Sequence, residues 1–300
     1  MTPEPRLAGR DLPEIFVGVD SSECSRAALR WAAGLSRRLG YRLHVVEAWE
    51  YPRDTVVRIG RVELPSPEHA DELLLGHLAE LVTEVVGGRS EVTLDVLRGP
   101  ASEALLHAAD QRARMIVVGS RGLGGFRGLL LGSVSRQLCE HAPCPVTVVR
   151  NCTPEAELRL ETIAVGVDGS VNAQRAVRFA AELAEGTGAY VVAVHAAAHG
   201  TAIDDPEEGP AVPHPTLTQL LEGWCRPLER RGLDDHDLVV AEGDPRSALL
   251  DVAEERAADL IVVGSRGLGP VSKLVLGSVA NSLIQHSPVP VTVVPPGPKH

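Results

Sequence analysis

The second half of this chain repeats the first over the length of a whole domain. IFVGVDSSECSRAALRWAAGL at 15–35 is answered by IAVGVDGSVNAQRAVRFAAEL at 163–183, and EHAPCPVTVV at 140–149 by QHSPVPVTVV at 285–294. Between these, LRGPASEALLHAADQRARMIVVGSRGLGG finds its counterpart in AEGDPRSALLDVAEERAADLIVVGSRGLGP. Solenoid units recur every 20–50 residues or so, much less than the repeat here. Three hundred residues suit two domains of ordinary size, each able to bury a core of its own. The expected division is a flexible N-terminus at 1–13, a first domain at 14–150, a linker at 151–160 and a second domain at 161–295.

Within each copy, short apolar runs alternate with segments of helical period. Strands are expected at 15–19, 42–48, 92–97, 115–118 and 145–149, and helices at 68–86, 101–112 and from about Gly132. A further helix lies between the first two strands and gathers Ala28, Trp31, Ala32, Leu35 and Leu39 on one face. Its partner in the second copy gathers Ala173, Ala176, Val177, Ala180 and Leu183. Strict alternation of strand and helix predicts α/β domains. Each is expected to be doubly wound, with a five-stranded parallel-type sheet in the order 3-2-1-4-5 and helices on both faces. Ligands of such sheets settle beyond the carboxyl ends of the strands, where the winding reverses. The first strand of each copy ends there in Asp20 or Asp168, and the fourth in Gly119 or Gly264.

The phrase after the fourth strand is GSRGLGGFRGLLLGS at 119–133 and GSRGLGPVSKLVLGS at 264–278. Thirty residues at this chain's average frequency would hold about four acidic ones, and these hold none. Glycines at 119, 122 and 132, matched by 264, 267 and 277, let main-chain N–H groups approach an anion unobstructed. Ser133 and Ser278 then open a helix, whose N-terminus favours negative charge. Arg121 and Arg127 add positive charge to the first loop, Arg266 and Lys273 to the second. Two anion sites, most naturally for phosphate, are expected. Neither loop is a Walker A motif, which needs GK[ST] after four spacers, and neither follows the first strand as a dinucleotide fingerprint does.

These residues resemble the universal stress protein family, in its tandem-domain, ATP-binding form. The signature G-x2-G-x9-G-[ST] is carried by Gly119, Gly122, Gly132 and Ser133, and again by Gly264, Gly267, Gly277 and Ser278. VGVD at Asp20 and Asp168, the turn before the third helix and the PxPV final strand extend the likeness over 14–150 and 161–295. The resemblance implies an ATP in each domain and a Mg²⁺ on its phosphates. The glycine loop, with Ser120, Arg121, Ser265 and Arg266, would surround the phosphates, and Asp20 or Asp168 would lie near adenine or ribose. It also implies that the final strands pair across the two domains as an intramolecular pseudo-dimer; a homodimer of whole chains stays open. The copies differ where Ser21 stands against Gly169, and Arg114 against Asp259.

Several features have plainer readings. Asp20 with Glu23 fits a helix capping box, an alternative to ligand contact that Val171 denies to the second copy. His141 and His286 suit helix C-termini, and His44 and His195 suit packing against the sheet. No G-x-S-x-G elbow frames Ser120 or Ser265, so neither reads as a nucleophile. The stretches EYPRDTVVRIGRVELP and AAHGTAIDDPEEGPAVP are lids or solvated loops. A net charge of −11 disfavours nucleic acid and anionic membrane as partners. Five cysteines without a pairing framework, and an N-terminus without an apolar leader, lead to the expectation of reduced thiols in a cytoplasm. The reading that follows is a nucleotide-dependent regulatory protein of the stress response, with no catalytic residue or metal ligand assigned. The alternatives are a slow ATPase or adenylyl-transferring enzyme, and an oligomerisation module that binds nothing.

Overall fold

Burial on both faces explains why the strands are apolar without alternation. The computed structural model describes residues 12–50, 66–87, 92–110, 112–123, 130–150, 158–197, 217–268 and 276–297. In the first half the order is β1 (Glu14–Val19), α1 (Glu23–Leu39), β2 (Arg42–Trp49), α2 (Pro67–Val86), β3 (Val92–Arg98), α3 (Ala101–Ala109), β4 (Ala113–Gly119), α4 (Ser133–His141) and β5 (Val146–Val149). The second half gives β6 (Thr162–Gly166), α5 (Val171–Thr187), β7 (Tyr190–Ala197), α6 (Leu217–Glu229), β8 (His236–Glu242), α7 (Pro245–Glu255), β9 (Leu260–Gly264), α8 (Ser278–His286) and β10 (Val291–Val294). Each half has the expected 3-2-1-4-5 order, with parallel neighbours throughout. The third helix ends at Ala109, short of the expected 112, because Asp110 turns to an extended ψ of 126°.

Successive strand residues point to opposite faces, so each strand feeds two cores. Ile15, Val17 and Val19 of β1 belong to the core that lies beneath α1 in this half and α5 in the other, while Phe16 belongs to the core on the opposite face, beneath α3 and α7. The helical stripe read from sequence faces inward: Ala28, Trp31, Ala32 and Leu35 are buried, as are Ala173, Ala176, Val177, Ala180 and Leu183. Ser22 and Ser170 cap α1 and α5 through their hydroxyls, and Gly40 and Gly188 end them in the left-handed conformation. Among the described residues no helix is long and apolar enough to cross a membrane.

The two sheets become one. β5 pairs antiparallel with β10, giving the order β3-β2-β1-β4-β5-β10-β9-β6-β7-β8. Each final strand thereby covers the other's open edge. Val146, Val148, Val291 and Val293 fill one core, and Val149 and Val294 the other. At the centre the hydroxyls of Thr147 and Thr292, fully buried, lie 2.7 Å apart. The difference between Arg114 and Asp259 belongs to this seam. Arg114 Nε donates to Glu182 of the other half at 2.6 Å, whereas Asp259 Oδ2 accepts from the N–H groups of Glu161 and Thr162.

Cys139, Cys144 and Cys225 are free, and burial pushes each thiol up to about 12. Cys24 is disulfide-bonded, which corrects the expectation of wholly reduced thiols. Cys152 and the two second-strand connections lie outside the described residues.

The threonine pair gives a prediction. Thr147→Val strands the Thr292 hydroxyl in the core and should cost about 1–3 kcal/mol, while the double change to valine should be nearly neutral. Chemical denaturation of the two singles and the double measures the coupling.

Candidate functional site

In both halves the winding reverses at the first strand: β1 lies between β2 and β4, and β6 between β7 and β9. Beyond the carboxyl ends of these strands are two cavities, about 420 Å³ in the first half and about 620 Å³ in the second. Asp20, Gly119, Arg121, Gly122, Gly132 and Ser133 line the first; Asp168, Gly264, Arg266, Gly267, Gly277 and Ser278 line the second. Apolar walls that sequence reasoning did not name come from Val46 and Val118 of the sheet with Leu105 of α3 in one, and from Val194 and Val263 of the sheet with Leu249 of α7 in the other. Their signal is the position facing α3 or α7 near the end of each strand.

Ser120 and Ser265 are buried and do not line the cavities. Their main chains tie the loop shut at its base. Ser120 N–H donates to Val149 O and Ser120 O accepts from Gly132 N–H; Ser265 repeats both bonds with Val294 and Gly277. The Ser265 hydroxyl is buried without a partner. Arg127, Lys273 and the middle of each loop lie outside the described residues.

Two of the helices that border the cavities, α4 and α8, have no side-chain cap. Ser22, Ser66, Ser170 and Asp244 cap α1, α2, α5 and α7 with side-chain oxygens. α4 and α8 begin at Gly132 and Gly277, which have no side chain to offer. Their first-turn N–H groups and positive dipole ends therefore face the cavity. An anion seated there satisfies donors that the chain itself does not.

Asp20 and Asp168 hold the loops in place. Asp20 Oδ1 accepts from Ser22 N–H at 3.1 Å and its Oδ2 from Leu123 N–H at 2.8 Å, across the crevice. Asp168 repeats this with Ser170 at 2.9 Å and Leu268 at 3.0 Å. The capping-box alternative for Asp20 is therefore corrected: the cap is Ser22, and Asp20 orders the turn before it. A Cβ on Gly122 or Gly267 would overlap the Oδ2 of the aspartate it faces, so these glycines make room for the latch. The pairing of Asp with an amide about 100 residues away had no sequence signal.

Behind the aspartates the two halves differ. Gly169 has φ +81° and lies under the Trp224 indole, whose Cζ2 would be 2.5 Å from an added Cβ. Trp224 stands edge-on to His195, which holds Val167 O through Nδ1 at 2.8 Å. In the first half Ser21 takes the left-handed conformation at φ +64°, at a cost of about 1–2 kcal/mol. There Glu47 follows Val46 on the α1–α2 side of the sheet, with its Oε2 buried and unpartnered. Burial pushes its carboxyl up, the His77 charge pulls it back and Asp20 pushes it up further. His286 and His44 make structural contacts. His286 Nδ1 meets Ser282 O at the end of α8, and His44 stacks on Phe16 with Asp95 at 2.7 Å.

The chain matches the model of the universal stress protein family over residues 13–150 and 159–295. It is 30% identical to a universal stress protein of Mycobacterium tuberculosis, over 93% of this chain and 94% of that protein. A universal stress protein of Mycolicibacterium smegmatis is 31% identical, over 94% and 97%. Among solved structures, a universal stress protein from Archaeoglobus fulgidus shares the fold with a TM-score of 0.69 and 24% identity, over 95% of this chain and 98% of that one.

Two substitutions probe the region behind the aspartates. Gly169→Ala drives a methyl into Trp224 at a positive φ and should destabilise the second half by about 1–3 kcal/mol. Chemical denaturation monitored by tryptophan fluorescence reads that loss. Glu47 binds its proton more tightly folded than unfolded, so its contribution is full below the usual glutamate range and is lost as pH rises through the raised value. Glu47→Gln should therefore raise Tm at pH 7 to 8, with the gain vanishing toward pH 4 in a thermal-unfolding series.

Proposed function

Because the chain belongs to the universal stress protein family, we propose that each half binds one adenine nucleotide, ATP first among them, and that occupancy regulates the protein's contacts without rapid turnover. One observation carries this reading. The N-termini of α4 and α8, uncapped by any side chain, open into cavities of about 420 and 620 Å³, each walled by apolar strand and helix residues and bearing one aspartate. Pockets of a few hundred cubic ångströms with few convergent polar groups suit small ligands of this size. The phosphates take the helix N-terminus with Arg121 and Ser133, or Arg266 and Ser278. The apolar wall takes the base. Asp20 or Asp168 accepts hydrogen bonds from ribose hydroxyls with the lone pairs its loop contacts leave over. A phosphate on the loop tightens a segment already latched to the aspartate, so bound and free states differ in loop order.

The nucleotide brings its own Mg²⁺, held by phosphate oxygens and water. Among the described residues no cluster of three or more His, Cys, Asp or Glu could share a cation. Each carboxylate oxygen of Asp20 and Asp168 already accepts a main-chain N–H group, and this occupancy supports binding over hydrolysis.

Mass spectrometry of small molecules released from freshly purified, denatured protein is expected to show adenine nucleotide. ATP at a hundredfold its Kd should stabilise the stripped protein by about 2.7 kcal/mol at one site. No released nucleotide and no ATP-dependent shift in Tm would leave the non-binding module as the better reading. Sustained turnover abolished by Asp20→Ala with Asp168→Ala would favour the enzyme.

A further inference from the structure

Matching positions of the repeat line the two cavities, but the groups they present are not the same. In the first cavity Ser25 of α1 and Ser135 of α4 form part of the wall, and both hydroxyls are committed within the protein. Ser25 Oγ donates to Ser22 O at 2.9 Å and accepts from Asp20 N–H at 3.3 Å, and Ser135 Oγ donates to Gly119 O at 2.7 Å. The same positions of the second cavity hold Ala173 and Ala280, which line it without a polar side-chain atom. The larger cavity, about 620 Å³ against about 420 Å³, is thus the one whose wall has lost two hydroxyls.

A different polar group enters that wall. Asn172, half-buried in the first turn of α5, lines the second cavity. Its counterpart in α1 is Cys24, which is disulfide-bonded and does not line the first. The helix makes no use of the Asn172 amide, because Ser170 already caps α5 by accepting from Ala173 N–H at 3.1 Å. Among the described residues the Asn172 carboxamide makes no hydrogen bond. Its place is nevertheless fixed. A Cβ on Gly264 would lie 2.8 Å from the Asn172 main-chain carbon and 2.9 Å from its Cβ, so the residue abuts the end of β9. Asp168 lies just past the end of β6, the strand paired with β9, so the two side chains border one corner of the crevice.

An ionised Asp168 only accepts hydrogen bonds, and two main-chain N–H groups use part of that capacity. Asn172 adds two N–H donors and a carbonyl acceptor beside it. A pure acceptor next to a group that both donates and accepts matches a vicinal diol, whose hydroxyls do both. From this juxtaposition we infer that Asn172 makes the second half a ribose-selective site, where it and Asp168 together hold the paired hydroxyls of the sugar. The first half, with Asp20 beside two committed serines, distinguishes ribose from deoxyribose less. The inference rests on the nucleotide-binding reading above and names the part of the nucleotide that this corner reads. A sugar lacking one hydroxyl would leave a desolvated amide or carboxylate unpaired, which is how hydrogen-bonding pockets reject such analogues.

The test uses the full chain, stripped of nucleotide, with one site closed at a time. Ser133→Glu places a carboxylate on the N-terminus of α4, where it suits the dipole and repels phosphate, and leaves the second site open; Ser278→Glu does the reverse on α8. Calorimetric titration compares ATP with 2′-deoxy-ATP and 3′-deoxy-ATP. In the Ser133→Glu chain the weaker-binding deoxynucleotide is expected to bind about thirtyfold less tightly than ATP, and in the Ser278→Glu chain only about threefold less. Adding Asn172→Ala to Ser133→Glu should weaken ATP about tenfold and that deoxynucleotide less than about twofold, and Asn172→Gln should restore part of the loss. Equal ratios at the two sites, or a second-site ratio unmoved by Asn172→Ala, would overturn the inference and leave nucleotide binding standing. Equal weakening of ATP and both deoxynucleotides by Asn172→Ala would overturn it too, because the amide would then be reading something other than the sugar. Failure of the unsubstituted chain to bind ATP would overturn both readings.

Discussion

A four-residue strand at the end of each half, Val146–Val149 against Val291–Val294, joins everything else in the molecule. Alone, either strand would present a flat, β-branched edge to solvent, a template for pairing with other chains. Paired antiparallel, the two edges satisfy each other and turn two five-stranded sheets into one of ten. The threonine hydroxyls at its centre are fully buried and meet across the seam. An apolar pair would have served the core equally well, but a hydroxyl pair penalises any slip in register, because a slip would bury two unsatisfied groups.

Antiparallel pairing also sets where the sites lie. The strands of the two halves run in opposite directions, so their carboxyl ends, and the cavities beyond them, are at opposite edges of the joint sheet. At the seam Arg150 follows β5 and donates to Ile284 O of α8 in the other half. The two cavities are likewise not exact copies, at about 420 and 620 Å³. The halves differ at single residues, Pro295 for Arg150 and Gly169 for Ser21 among them.

At the level of the single site, the aspartate is a structural latch. It accepts the amide two residues ahead and another about a hundred residues away, binding the end of the first strand to the loop after the fourth. This explains the glycine opposite it in each copy more directly than phosphate contact does, since a Cβ there would strike the carboxylate before any ligand arrived. Ser120 and Ser265, two residues before these glycines, are buried and close the base of the loop through their main chains.

Periodicity and repetition were enough to place the strands, the inward stripes of α1 and α5, the strand order and the glycine-opened helices, because these follow from local sterics and from burial on two faces. The absence of any acid in thirty loop residues also led to the expectation that each loop favours an anion. What it could not show was which distant groups meet. That Asp20 takes the amide of Leu123, that Trp224 rests on Gly169, that Glu47 is buried without a partner and that Arg150 reaches Ile284 of the other half depend on strand register and helix docking. Those are set by packing of the whole sheet, where residues a hundred positions apart come within a hydrogen bond and no local pattern records the encounter.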